Sequence, residues 1–86
     1  MTIHRLKTVQ PFFNDVMIGA KDFELRKDDR NFQVGDRLDL FEGDEQVEDI
    51  EARQNKNHVH RFVKYKLKGG QFGLHEDYCI LGLSTD

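Results

Sequence analysis

The chain has 86 residues, enough for one domain with one core. Its 37 % hydrophobic and 34 % charged residues put a small core beneath a highly charged surface, and aromatic residues spread along the chain argue against disorder. The net charge of −3 argues against a general nucleic-acid binder, no apolar run is long enough for a membrane span, and a single cysteine excludes an intramolecular disulfide framework. The lone cysteine also fits a reducing compartment, and Met1-Thr2-Ile3-His4-Arg5 carries no apolar signal-peptide core. A cytoplasmic, monomeric single domain over 1–86 is therefore expected, with no membrane contact.

Ile3 and Leu6 bracket a first strand over roughly 3–7. Val9, Phe12, Phe13, Val16 and Met17 then fall on one helical stripe. Thr8 is the expected N-cap, Pro11 sits in the first turn, and Gly19 stands where a left-handed residue ends a helix. Phe23-Glu24-Leu25-Arg26 alternates as a strand, Phe23 and Leu25 on one face, Glu24 and Arg26 on the other. Hydrophobic patterning sends Phe23 to the same core as Phe13. A turn at Val34-Gly35-Asp36 feeds a strand through Leu38, Leu40 and Phe41.

A weaker strand is expected around 47–53, then a polar loop over 54–57. The longest strand spans Val59 to Leu67, with a bulge expected where Phe62 and Val63 break the alternation. Gly69-Gly70-Gln71-Phe72-Gly73 reads as a turn of close backbone approach, with Phe72 packing as its anchor. It lacks the Lys-Ser/Thr of a phosphate loop. Tyr78 to Leu83 is nearly all apolar, so a central strand covered on both faces is expected. Five or six short strands and one early helix make an α+β, mainly β domain. A small, partly closed barrel with the N-terminal helix beside it fits, because closure removes vulnerable edges.

Charge is segregated along the chain. Residues 38–52 hold acidic side chains and no basic one, and residues 53–75 hold basic side chains and no acidic one. Such a map can put a positive face on an acidic protein, or simply mark two solvated strands that pair across.

The most specific local pattern is Gly19-x-Lys21-x-x-Glu24-x-Arg26. Glu24 and Arg26 share a strand face, and Lys21 precedes that strand. A guanidinium fork, an ammonium and a carboxylate in one groove suit a polar ligand such as a nucleotide. The same residues also suit an ordinary exposed Glu–Arg pair beside a solvated lysine.

Gly19-Ala20-Lys21-Asp22-Phe23-Glu24-Leu25-Arg26 resembles the G-x-K-x-x-E-x-R signature of ASCH domains, in the PUA-like superfamily. The likeness extends through Lys27 to Asp36, the Leu67–Leu74 segment and Tyr78-Cys79-Ile80-Leu81-Gly82, as in a small ASCH-related family of bacterial and phage proteins. It covers most of the chain except 43–60. The resemblance implies a PUA-like barrel whose signature residues line a cleft for RNA or a modified nucleoside. On that basis Lys21, Glu24 and Arg26 form the cleft, Arg30 and Lys68 are candidate phosphate contacts, and Lys64 and Lys66 extend the basic segment.

Some small ASCH members hydrolyse acetylated cytidine with a lysine matching Lys21 and a threonine where this chain has Glu24. In an amidohydrolase, Lys21 would polarise or deprotonate and Glu24 would act as acid or base. Other members are reported as ribonucleases, and a phage or bacterial protein-binding adaptor is a further alternative. A binder shows salt-dependent affinity without turnover, a hydrolase releases product from a nucleoside, and an adaptor ignores both. His58-x-His60 puts two imidazoles on one strand face without a third ligand, so neither metal nor cofactor is assigned. Cys79, in an apolar strand, is expected to be buried and inert.

Overall fold

The computed structural model describes residues 1–43 and 57–86. Six elements follow in chain order: β1 (Ile3–Thr8), α1 (Phe12–Met17), β2 (Phe23–Lys27), β3 (Arg37–Glu42), β4 (His58–Lys68) and β5 (Tyr78–Ser84). The strand expected around 47–53, most of the 54–57 loop and most of the acidic segment lie outside the described residues.

The strands form one sheet in the order β1-β3-β4-β5-β2. β1 runs parallel to β3, and every other neighbouring pair is antiparallel. The sheet curls until its two edge strands approach. Arg26 of β2 donates from Nη2 to the Lys7 carbonyl oxygen at 2.8 Å and to Thr8 Oγ1 at 2.9 Å on β1. Among the described residues no backbone ladder joins those edges, so a side chain bridges the seam of a half-barrel. The fold is small, β-rich α+β with one short helix. No helix among the described residues is long and apolar enough to cross a membrane.

Leu6, Leu38, Leu40, Val63, Leu81 and Leu83 pack inside the curl, with Val16 of α1 and Phe32 among them. β5 lies inside the sheet, but its burial alternates. One face enters the core, while Ile80 and Gly82 stay half-buried, so the expected cover on both faces is incomplete. The β4 bulge falls between Val63 and Tyr65. It resets the phase of the strand, so Lys66 pairs with Leu81, a core residue.

The helix is shorter than the apolar stripe. Thr8 does not cap it: Thr8 is still extended, paired with Glu42, and its hydroxyl serves Arg26. Pro11 stands at the N-cap and supplies no side-chain cap bond, while Gln10 just before it accepts the Asn14 N–H on Oε1 at 3.2 Å. Gly19 ends the helix at φ 82°, as its position predicts. At Gly69 a Cβ would collide with the carbonyl oxygens of His75 and Tyr78, which accounts for the glycine there. Phe72 does not anchor the turn. It is 90 % exposed, on a backbone at φ 53°.

At the start of β3, Asp36 is buried against His4 of β1. Burial works against its charge. Hydrogen bonds from His4 Nε2 at 2.9 Å and from the Thr2 and Gln33 N–H groups at 3.0 Å outweigh that and hold the carboxyl below its ordinary value. A folded-state value below the unfolded one stabilises the fold fully above the ordinary value of 3.8. That stability disappears as pH falls through the lowered value. Asp36→Asn is therefore expected to weaken the fold at pH 7 and to flatten its loss of stability in acid. Urea titrations of both proteins at pH 7 and about pH 3 check this.

Candidate functional site

The site begins where α1 stops. The Lys21 N–H donates to the Asp15 carbonyl at 2.9 Å, and the Leu83 N–H donates to the Asp22 carbonyl at 2.9 Å. The first ties the approach to β2 back to α1, and the second docks the start of β2 against β5. The β2–β5 register then pairs Glu24 with Leu81 and Arg26 with Cys79. Cross-strand partners share a face. Leu81 and Cys79 are buried, so Glu24 and Arg26 turn inward and Phe23 and Leu25 turn outward.

This reverses the expected orientation. Glu24 is 3 % exposed, while Phe23 is 43 % and Leu25 53 % exposed. A buried carboxylate requires partners. Glu24 Oε1 accepts from Lys21 Nζ at 2.8 Å, and Oε2 accepts from Arg26 Nε at 2.9 Å. Lys21 Nζ also donates to the Phe23 carbonyl at 2.9 Å. Arg26 uses Nη2 for the seam described above, which leaves Nη1 without a hydrogen bond among the described residues.

A cleft of about 420 Å³ opens over this triad, in the range of small-molecule sites. Lys21, Glu24 and Arg26 give it a polar floor. Val9, Phe12, Phe23 and Leu25 give it apolar walls, and Thr8 contributes a hydroxyl. Lys21 Nζ lies 5.0 Å from the Phe23 ring centroid and 5.8 Å from that of Phe12, within cation–π reach. The last turn of α1 has no basic residue of its own. Arg61 of β4 supplies one, its Nη2 donating to the Val16 carbonyl at 3.1 Å and so steadying the helix end that leads to Lys21.

The structure thus unites Lys21, Glu24 and Arg26, and it adds Lys7, Thr8, Val9 and Phe12 to the lining, all of them outside the G-x-K-x-x-E-x-R pattern. The four other cations lie outside the cleft lining. Arg30 is exposed beyond β2, Lys64 is exposed at the bulge, and Lys68 is exposed at the end of β4. Lys66 holds Asp28 at 3.1 Å and the Phe32 carbonyl at 3.1 Å, pinning the loop after β2.

His58 stacks on Phe41 and His60 meets Phe62 edge-on, and the described residues contain no group of three metal-ligating side chains. Cys79 is buried as expected, and burial pushes its thiol up from its ordinary value, with Asp28 adding to the shift.

Comparison with curated proteins found no match. A family model described as a domain of unknown function, DUF3850, matches residues 3–83. That span runs from the start of β1 to the end of the β5 core and takes in the whole Lys21–Glu24–Arg26 cleft, so the chain belongs to the DUF3850 family.

Proposed function

We propose that this protein is a PUA-like module of the ASCH type that binds RNA or a nucleotide-like ligand in the β2 cleft. The observation that carries the reading is the reversed strand. Two apolar side chains stand at the surface so that a carboxylate and a guanidinium can occupy the inside. Packing alone favours the opposite arrangement, and departures from that rule concentrate at functional sites. The aromatic walls suit stacking of a base, and the cationic floor suits its polar edge. The G-x-K-x-x-E-x-R resemblance points to the same three side chains.

The geometry favours binding over amide hydrolysis. Both Glu24 oxygens already accept charge-assisted bonds. Thr8 supplies a hydroxyl to the cleft lining, and its partner there is Arg26, a donor with no acceptor lone pair to take a proton. Titration of short RNAs and nucleosides into the labelled protein, followed by chemical shifts, tests the reading. The expected shifts centre on Lys21–Arg26 and the Phe12 turn. Lys21→Ala is expected to weaken binding several-fold while the protein stays folded, since its ammonium sits at the cleft rather than in the core. Turnover of acetylated cytidine by the wild type, abolished by Lys21→Ala, would replace binding with hydrolysis.

A further inference from the structure

The hydrogen-bonding capacity left in the cleft narrows the ligand further, on the basis of the nucleotide reading above. Lys21 Nζ has three N–H groups and spends two, on Glu24 and on the Phe23 carbonyl. Arg26 spends Nε and both Nη2 hydrogens, which leaves the Nη1 pair. The Glu24 carboxylate is 4 % accessible and already takes a charged bond on each oxygen, and the Thr8 hydroxyl already accepts from Arg26 and keeps its own proton to donate. The floor therefore offers donors. We propose that the cleft grips a nucleobase by an edge that carries two adjacent acceptors, as guanine does with O6 and N7 and cytosine with O2 and N3.

Uracil, and adenine on its Watson–Crick and Hoogsteen edges, set a donor beside each acceptor. Each would set an N–H against an N–H in a partly buried site, and an unpaired buried donor is costly. Phosphate is the other acceptor-only group, and the cleft suits it less. The walls of Val9, Phe12, Phe23 and Leu25 offer that group no hydrogen bonds from their side chains, whereas they match the faces of a planar ring.

The test titrates the full chain with the 5′-monophosphates of guanosine, cytidine, adenosine and uridine, and separately with inorganic phosphate. The common phosphate cancels between the four nucleotides. The guanine and cytosine compounds are expected to bind at least about fivefold more tightly than the other two, the lower end of discrimination by paired hydrogen bonds. Their shifts should map to Lys21–Arg26. Lys21→Gln should shrink that gap, with circular dichroism confirming that it remains folded. Equal affinity for all four nucleotides overturns the edge selection and leaves the nucleotide reading intact. Inorganic phosphate moving the same resonances as strongly also overturns it. Silence towards every nucleotide removes both proposals together.

Discussion

Glu24→Ala is expected to cost about 3–5 kcal/mol of folding stability, the range for removing one partner of a buried ion pair. The side chain is 4 % accessible and holds two cations at 2.8 and 2.9 Å. Without it, Lys21 and Arg26 face each other across a partly closed space with no countercharge. A domain of 86 residues has little stability to spare, so this variant should be near its folding limit at room temperature. Chemical denaturation measures the loss. A midpoint equal to the wild type would show that Glu24 is not held as described.

A second variant separates stability from function. Lys21→Met, Glu24→Leu and Arg26→Met made together remove all three charges at once. Apolar replacement of a complete buried ion network is often neutral or stabilising. Part of the Glu24→Ala loss should therefore return, offset by the cost of leaving the Lys7 carbonyl and Thr8 hydroxyl without their Arg26 bonds, about 1–3 kcal/mol each where fully buried. The triple variant should fold and fail to bind nucleotides. That outcome would show that the charged interior serves recognition and that an apolar one could serve the fold.

Local chemistry made much of the architecture legible. The end of α1 follows from Gly19, the β4 bulge from broken alternation, and the close approach at Gly69 from its glycine pair. The orientation of β2 was not legible. Alternation divides Phe23, Glu24, Leu25 and Arg26 into two faces, but it does not say which face turns inward. The hydrophobic rule chooses Phe23 and Leu25. What reverses the choice is non-local: pairing to Leu81 and Cys79, and bonds from Arg26 to β1 atoms eighteen and nineteen residues away. Thr8 was misplaced for a similar reason. Its local surroundings look like a helix cap, whereas its partner comes from another strand. The basic segment shows the limit of linear charge maps, since one bulge and one ion pair turn Lys66 into a structural residue.

Phe13 and Phe23, which hydrophobic patterning sends to one core, should behave very differently. Phe13 is fully buried on α1, so Phe13→Ala is expected to cost about 3–5 kcal/mol, as large core aromatics do. Phe23 is 43 % exposed on the outward face of β2, so its truncation removes a partly wetted side chain and leaves no sealed cavity. Phe23→Ala should cost about 1 kcal/mol or less, in keeping with half of a side-chain transfer energy. Its effect should appear in binding instead, because the ring forms a cleft wall and lies 5.0 Å from the Lys21 ammonium. Paired denaturation curves and nucleotide titrations on the two variants decide the matter. If Phe23→Ala unfolds the protein as readily as Phe13→Ala, β2 faces the other way, and the charged groups proposed as the floor of the cleft lie on the outer surface of the sheet.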